Sequence, residues 1–405
     1  MRLLAHVIAL RPTPAQITLF KKAAGCARLA YNWGLAQWNS QHAAGEKPNW
    51  MTLQKSFVSR IDAEFPFMRE VPSSAYSQPF RHLHQAFQRF FDKTGRRPRF
   101  KSKRRETPSF KAGKVRFSPG HVILPVIGAV RSCEALRWAG RVVSSTVRAD
   151  ADGWTISVLC EVPEEVAAPA TPGAPSTSVV GIDLGLSTFA TCSTGQRYDA
   201  PKPLRRYAKR MSRAARRLSR RQPGSHRRWK ARVRVARLHR RIRRIRSAFL
   251  HKCSTTIVRE NQTLVIEDLS VQNMLGNHRL ARAISDAGWS EFRRQLVYKS
   301  VRYQRTLLVA HGFYPSSKLC SQCGNHKPSL TLADRVYACT ICGNHMDRDL
   351  NAAINLNTLV QRGIDARGEL SALVSVGCLP DQPARRSVNR GAPKRVKKDQ
   401  TGISV

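Results

Sequence analysis

The sequence predicts a multidomain α+β protein, and three observations carry this prediction. A helical region, residues 12–112, lies between a short apolar strand at residues 1–11 and strand-like sequence over residues 113–166. A segment rich in Pro, Ala and Ser at residues 167–178 then marks a domain boundary. Beyond it, apolar strands ending in carboxylates alternate with helical segments, which is typical of an α/β domain.

The charge of the chain is its most unusual bulk property. Its 405 residues include 70 Lys and Arg against 26 Asp and Glu, a formal net charge of +44. Such a surface repels itself unless a polyanion neutralises it, and nucleic acid is the leading candidate because phosphates bind cationic side chains. An anionic membrane is the alternative, but no segment reaches the roughly 18 apolar residues that a span needs. We therefore expect nucleic acid and no membrane as partner.

The N-terminus and the cysteines indicate a cellular compartment. MRLLAHVIALRPTPAQ has a short apolar stretch without a small-residue cleavage site, so we expect no signal peptide and a cytoplasmic protein. Disulfides rarely persist there. The ten cysteines, four of them paired by spacing, therefore favour a metal site over a disulfide framework.

Local signals define the elements before the boundary. Arg2 to Leu10 predicts a strand, and Thr13 is a helix N-cap, with Pro14 at the first helical position and Gln16 placed to close a capping box. Helical spacing of apolar residues then continues to about Phe91, followed by the basic loop GRRPRFKSKRR.

From about Val115, the residue pattern becomes typical of β-strands. His121 to Val130 is apolar with Pro and Gly breaks, and Asp152-Gly153 predicts a hairpin between two alternating segments.

An arginine-rich segment, residues 201–252, follows the first strand of the second part. No acidic residue occurs between Asp199 and Glu260, yet apolar residues keep a helical spacing on both sides of a Gln-Pro-Gly-Ser break at residues 222–225. We expect two helices folded as a hairpin with the apolar seam inward. The basic tail, residues 357–405, is predicted to be poorly ordered.

Four cysteines have the spacing of a structural zinc site. Two C-x2-C pairs separated by 15 residues lie in the segment 316–345, and a glycine follows the second cysteine of each pair; the cysteines are Cys320, Cys323, Cys339 and Cys342. Four thiolates close a tetrahedron suited to one Zn²⁺, which gives a structural and not a catalytic role. A buried or redox-active set of cysteines is the alternative.

Three carboxylates are placed for chemistry. Asp183 ends an apolar strand in SVVGIDLG, Glu267 ends LVIE, and Asp349 lies at the helix start DRDLNAAINL. A charge at such a strand end is costly without a partner or an ion. Converging carboxylates can hold two Mg²⁺ ions that activate water for phosphodiester hydrolysis. Each residue also has a structural explanation, as a turn, an ion pair with Arg, or, for Asp347 or Asp349, an N-cap.

These motifs carry a family resemblance. In order, GIDLGLSTFAT, LVIEDLS, the four-cysteine ribbon and DRDLNAAINL resemble the RuvC-like nuclease domain of TnpB proteins, transposon-encoded relatives of compact type V CRISPR effectors. The segments LRPTPAQ, CARLAYNWGL, ISDAGWSEFRRQLVYKS and YPSSKLCSQCG are also similar to that family. The resemblance covers roughly residues 1–356.

The resemblance implies a fold and domain organisation. Residues 179–356 would form an RNase H-like (RuvC) α/β nuclease domain with an inserted zinc ribbon. Residues 1–11 and 113–166 would form an N-terminal β-barrel, the wedge domain, interrupted by a helical recognition domain.

The resemblance also implies an activity. Asp183, Glu267 and Asp349 would be the metal-binding triad, with Asp349 preferred over Asp347 because it precedes Leu-Asn-Ala-Ala. The protein, in a prokaryotic cell and close to the nucleoid, would bind a guide RNA, one copy per guide, recognise a short target-adjacent motif and cleave double-stranded DNA.

Several alternatives remain open at the sequence level. The chain could be a compact type V CRISPR effector, or an RNA-guided DNA-binding protein without cleavage. A sequence-independent RNA chaperone explains the charge but not the cysteines or the strand-end acids. A tyrosine transposase would use a His-hydrophobic-His pair, and His82-Leu83-His84 has those letters. On a helix, however, the two imidazoles would point to different sides.

Overall fold

A seven-stranded antiparallel sheet dominates the first part of the protein. The computed structural model describes residues 1–103, 105–151, 153–163, 178–312, 314–331, 333–361 and 370–374. The strands of this sheet are β1 (Arg2–Arg11), β2 (Ser109–Lys111), β3 (Arg116–Ser118), β4 (His121–Leu124), β5 (Gly128–Ser132), β6 (Arg141–Asp150) and β7 (Gly153–Val162). Their spatial order is β2-β6-β7-β1-β5-β4-β3. The predicted hairpin joins β6 and β7, although Asp152 itself lies outside the described residues.

Helices inserted between β1 and β2 cover one face of this sheet. They are α1 (Pro14–Ala43), α2 (Trp50–Ser59), α3 (Ile61–Glu64), a 3₁₀ helix (Pro66–Glu70) and α4 (Ser73–Phe91). The predicted capping box is confirmed, because Thr13 Oγ1 accepts from the Gln16 amide and Gln16 Oε1 accepts from the Thr13 amide. The Phe20 ring of α1 lies 5.0 Å from Trp154 of β7, so the helices and the sheet share one core.

A mixed six-stranded sheet organises the second part. Its strands are β8 (Val179–Asp183), β9 (Ala190–Cys192), β10 (Arg197–Tyr198), β11 (Thr263–Glu267), β12 (Thr306–Ala310) and β15 (Leu370–Val374), whereas β13 (Val336–Ala338) and β14 (His345–Asp347) form a separate hairpin. The spatial order is β10-β9-β8-β11-β12-β15. Strands β8, β11 and β12 are parallel, and the other three are antiparallel to their neighbours.

Helices lie on both faces of the mixed sheet. They are α5 (Pro203–Ser219), α6 (His226–Glu260), α7 (Val271–Met274), α8 (Ala281–Ala287), α9 (Trp289–Tyr303) and α10 (Arg348–Gln361). Val180 and Ile182 of β8 share a core with α6 and α9, whereas Leu356 of α10 packs with Val265 of β11 in a second cluster. Gly181 permits the close approach of α10, since a Cβ there would lie 2.0 Å from the Ala353 carbonyl oxygen.

The arginine-rich segment forms the predicted helical hairpin. Helices α5 and α6 pack against each other, and Ser225 caps α6 by accepting from the Arg228 amide at 3.1 Å. Arg240 of α6 is buried and pairs with Asp150 of β6 at 2.9 Å, which joins the hairpin to the first sheet. No helix among the described residues has the length and apolar character needed to cross a membrane.

The predicted tail, residues 357–405, begins within the last helix of the second part. Helix α10 continues to Gln361, and β15 pairs with β12 from Leu370 opposite Ala310 onward. Leu359, which is 1% exposed, extends the apolar stripe of Leu356, and β15 lies at the edge of the sheet. Residues 362–369 and 375–405 of the predicted tail, and residues 164–177 with most of the predicted linker, lie outside the described residues.

Candidate metal centres

Two of the three predicted carboxylates meet at one edge of the mixed sheet. Asp183 is the last residue of β8 and Glu267 is the last residue of β11. These strands are adjacent and parallel, with Ile182 opposite Ile266. The carboxyl ends of neighbouring parallel strands open on the same crevice, where α/β proteins place their ligand sites. The register therefore puts Asp183 and Glu267 side by side.

The third carboxylate comes to this edge from α10. Asp349 lies in the first turn of the helix, and a Cβ built on Gly185, just beyond β8, would lie 3.8 Å from Asp349 Oδ2. Asp347, the alternative candidate, has two other partners: its Oδ1 accepts from the Leu350 amide at 3.0 Å, and its Oδ2 pairs with Arg197 at 3.1 Å. Asp347 thus starts the helix, and Asp349 faces the end of β8.

The electrostatics of the site are those of crowded, poorly hydrated anions. Burial raises the pKa of Asp183 well above its ordinary value, and Glu267 and Asp349 raise it further, while Arg348 opposes them. Burial also raises the pKa of Glu267, partly offset by the hydrogen bond from the Ser316 hydroxyl. When a cation binds among such carboxylates, it stabilises their ionised form. The donor chemistry therefore fits Mg²⁺, which takes oxygen ligands.

The four cysteines form a tighter group than the carboxylates. All four Sγ atoms lie within 4.8 Å of one another, and no other set of three or more metal-binding side chains among the described residues is gathered so closely. Cys320 Sγ lies 3.6 Å from Cys342 Sγ, and Cys323 Sγ lies 3.6 Å from Cys339 Sγ. Sulfurs at about 2.3 Å from a tetrahedral zinc are about 3.8 Å apart. The thiolates therefore fit one zinc ion.

The two cysteine pairs are built alike. Gly324 and Gly343 have φ values of 76° and 70°, and their amides donate to the carbonyls of Cys320 and Cys339. Only glycine adopts this left-handed conformation without steric cost, which explains its place after each pair. Burial would raise the pKa of Cys320, but backbone amides and Asn344 donating to its sulfur lower the pKa to about 6. The pKa of Cys339 is also lowered, whereas the pKa values of Cys323 and Cys342 are raised. The first cysteine of each pair is thus held toward the thiolate, the form that binds zinc.

The sequence interpretation missed several polar residues around the carboxylates. Ser316 donates to Glu267, Arg348 donates to Asp349, and the buried side chains of Asn351 and Asn355 bind the backbone at the start of the ribbon. The two asparagines at a spacing of four on a predicted helix were a usable signal, because buried amides need partners. Ser316 and Arg348 carried no such signal.

The His82-Leu83-His84 pair does not form a joint site. Leu83 is fully buried on α4, the His84 ring stacks on Trp50 with centroids 5.9 Å apart, and His82 lines a cavity beside Lys101. The prediction that the two imidazoles point to different sides is confirmed.

Sequence comparisons agree with these motifs. A family profile described as "Probable transposase" (OrfB_IS605) matches residues 157–278, a "Cas12f1-like, TNB domain" profile matches residues 289–356, and a "Helix-turn-helix domain" profile matches residues 1–47. In the structure, that last range comprises β1 and the single long helix α1.

Whole-chain relatives are also found. A Streptomyces pristinaespiralis protein, named as a candidate RNA-guided DNA endonuclease, is 37% identical over 97% of this chain and 96% of its own length. InsQ of Escherichia coli K12, named in the same way, is 31% identical over 88% of this chain and 92% of its own. A solved structure, described as the Cas12f1–sgRNA–target DNA complex, has a TM-score of 0.52 at 15% identity, covering 84% of this chain and 82% of that one. That likeness concerns the fold.

The matched profiles define a transposase-related class of protein with a Cas12f1-like TNB domain. Within this class, the chain belongs to the TnpB family.

Proposed function

We propose that this chain is an RNA-guided DNA endonuclease of a transposable element. It binds a guide RNA, recognises a short target-adjacent motif, and cleaves the paired DNA by two-metal-ion hydrolysis. The observation that carries this proposal is the convergence of Asp183, Glu267 and Asp349 at the ends of adjacent elements, on a chain with a net charge of +44. The names of the whole-chain relatives support it.

The strand order supports an RNase H-like (RuvC) assignment for the second part. Strands β10, β9 and β8 are joined antiparallel, and β11 and β12 follow β8 in parallel, in the order 3-2-1-4-5 counted from β8. We assign residues 179–356 to this nuclease domain, with the ribbon at residues 316–345. The seven-stranded sheet, interrupted by helices, supports a wedge β-barrel at residues 1–11 and 113–166, with the recognition domain at residues 12–112.

In the proposed mechanism, Asp183, Glu267 and Asp349 would hold two Mg²⁺ ions. When bound, the ions would activate a water and stabilise the leaving oxygen of the phosphodiester. The charges of Glu267 and Asp349 both act on Asp183. We therefore expect the loss of Asp183 to weaken metal binding most. Glu267 is oriented by the Ser316 hydroxyl. The four cysteines would hold one structural zinc ion and take no part in hydrolysis.

The cationic surface supports guide RNA and double-stranded DNA as partners. Helices α5 and α6 expose Arg residues along their length and contain no acidic residue before Glu260. Six to ten phosphate contacts of this kind would give a strongly salt-dependent affinity. The structurally similar Cas12f1 complex contains an sgRNA and target DNA, which supports the same partners. We assign one protein copy per guide, acting at the nucleoid.

The first test is to identify the RNA that copurifies with the protein. The gene would be expressed with its native flanking DNA and purified in high salt. A single discrete RNA, with a constant part and a short segment matching DNA beside the gene, is expected. Repeat-derived RNAs would indicate a CRISPR effector, and a mixture that follows cellular abundance would contradict guided binding.

The second test separates cleavage from binding. With the identified guide and Mg²⁺, Asp183→Ala is expected to lower DNA cleavage by about 10²–10³-fold or more, the scale of losing transition-state charge stabilisation. Binding of RNA and target DNA should be unchanged. Asp199→Ala is the control, because Asp199 is an exposed acid of the same domain. Wild-type cleavage by Asp183→Ala would refute the triad, and an uncleaved target with the wild-type protein would indicate a guided DNA binder.

A further inference from the structure

The ribbon contacts two of the three carboxylates, although neither contact involves a cysteine. Ser316, at the start of the ribbon, is 3% exposed and donates its hydroxyl to Glu267 Oε1. Its own amide donates to the Tyr314 carbonyl at 2.9 Å, and its carbonyl accepts from Asn355 Nδ2 at 2.7 Å. The serine is thus fixed by its backbone on both sides. Only a fixed donor can restrict the orientation of a carboxylate.

The second contact involves Arg348, which lies between Asp349 and the ribbon. Its Nε and Nη2 donate to Asp349 Oδ1 at 3.3 and 3.0 Å, and its Nη1 donates to the Thr331 carbonyl of the ribbon at 3.4 Å. The Arg348 amide donates to the Arg335 carbonyl of the ribbon at 2.9 Å. Because Arg348 takes Oδ1, the other oxygen, Oδ2, is the one that faces Gly185 and the end of β8.

The base of the ribbon is held on the same helix that carries Asp349. Asn351 is fully buried; its Nδ2 donates to the Leu319 carbonyl at 2.6 Å, and its Oδ1 accepts from the Ser321 amide at 3.0 Å. Asn355 Nδ2 donates to the same Leu319 carbonyl at 2.8 Å. Leu319 directly precedes the ligand Cys320. The position of the first zinc ligand and the position of Ser316 are therefore mechanically linked.

We propose that the zinc ribbon is a positioning element for the carboxylate site, acting on Glu267 through Ser316 and on Asp349 through Arg348. This inference rests on the proposed function, since it assumes that the carboxylates bind divalent metal. Groups that hydrogen-bond metal ligands restrict them to the binding orientation, and losing one weakens metal affinity by about 10–100-fold. Zinc thus contributes to Mg²⁺ binding without touching it.

The test measures divalent-metal affinity directly, with Mn²⁺ as the probe and its electron paramagnetic resonance signal as the readout. Ser316→Ala in the full chain is expected to weaken Mn²⁺ binding by about 10–100-fold. The Mg²⁺ concentration that half-saturates cleavage should rise by the same factor, with zinc content and RNA binding unchanged. Ser317→Ala, which removes the same hydroxyl one residue away, is the matched control and should bind Mn²⁺ as the wild type does.

A double-mutant cycle tests the link to zinc. Cys342→Ser removes an exposed zinc ligand and should weaken Mn²⁺ binding to a similar extent. Adding Ser316→Ala to Cys342→Ser should then have little further effect, because both changes remove the same support. Independent, multiplying effects would overturn the proposal, as would wild-type Mn²⁺ affinity in Ser316→Ala.

Asp183→Ala distinguishes failure of this inference from failure of the proposed function. If Asp183→Ala loses Mn²⁺ binding while Ser316→Ala does not, the carboxylate site stands and only the positioning role is wrong. If Asp183→Ala binds Mn²⁺ as the wild type does, the metal-dependent function itself is refuted.

Discussion

The cysteine site and the carboxylate site are assembled in opposite ways. The cysteines lie within one short segment, residues 320–342, and two similar turns bring their sulfurs to 3.6 Å. The carboxylates come from two strands and a helix that are far apart in sequence, and only the packing of β8, β11 and α10 unites them. A local site can thus be recognised from spacing, whereas the other exists only in the folded domain.

The two sites also differ in how their surroundings affect the ionised form of the side chains. Amides and Asn344 donate to Cys320 and lower its pKa to about 6, although burial acts against this, so the thiolate is stabilised. Burial and the neighbouring acids raise the pKa of Asp183, so its carboxylate is destabilised. Hydrogen bonds thus prepare the first cysteine of each pair for the ion, although the pKa values of Cys323 and Cys342 are raised. The carboxylate site depends on a cation to relieve repulsion.

The largest expected effect comes from breaking the cysteine site. The ribbon has a small core of its own, in which Leu330 and Tyr337 pack with Cys320 and Cys339. Such a core cannot replace the binding energy of a structural metal. We expect Cys339→Ser to lower zinc from one per chain to none and to make the ribbon sensitive to protease, measured by elemental analysis and limited proteolysis. Cys133→Ser, at an exposed cysteine outside the ribbon, is the control. Full zinc content in Cys339→Ser would contradict the assignment.

A smaller effect is expected at the carboxylate site, where a substitution should increase the stability of the protein. Asp183→Asn removes one of the crowded anions, so the magnesium-free protein should become more stable at pH 7. A gain of about 1 kcal/mol would raise Tm by about 2–4 °C in a domain of 150–250 residues. Mg²⁺ should raise the Tm of the wild type and not that of the variant, as measured by scanning calorimetry.

The pH dependence of this gain follows from the direction of the pKa change. Because the pKa of Asp183 is raised in the folded protein, its stabilising contribution is complete below the ordinary value of 3.8 and is lost as pH rises through the folded value. The difference in Tm between Asp183→Asn and the wild type should therefore vanish near pH 4 and grow toward pH 7. A constant difference across this range would contradict the electrostatic explanation.

The smallest effect on stability is expected at the arginine hairpin, where the excess charge is positive and not negative. Arg213, Arg217 and Arg234 line one cavity between α5 and α6 and repel each other. Arg213→Gln with Arg217→Gln should leave Tm unchanged or slightly higher but weaken RNA binding. The slope of log affinity against log salt should fall by about 0.7–0.9 per lost phosphate contact.

Fluorescence can report this binding directly. Trp229, 55% exposed near the start of α6, is the one exposed tryptophan of the seven, so its quenching follows RNA at the hairpin. An unchanged salt slope in the double variant would show that these arginines do not contact phosphates.

Local signals predicted much of the fold and part of the site. The Thr13 capping box, the β6–β7 hairpin and the α5–α6 hairpin were predicted because caps, turns and apolar spacing act over a few residues. Strand β15 lies within the segment that was predicted to be poorly ordered, and it pairs with β12. Such pairing depends on a partner far away in the chain.

By itself, the sequence determined the charge of the molecule, the cysteine spacing and the strand ends at which Asp183 and Glu267 lie. The tertiary structure alone decided that Asp349 faces β8, and that Ser316 and Arg348 connect the ribbon to the carboxylates. The physical reason is range: caps and turns form between near neighbours, whereas these hydrogen bonds need strands and a helix packed to within a few tenths of an ångström.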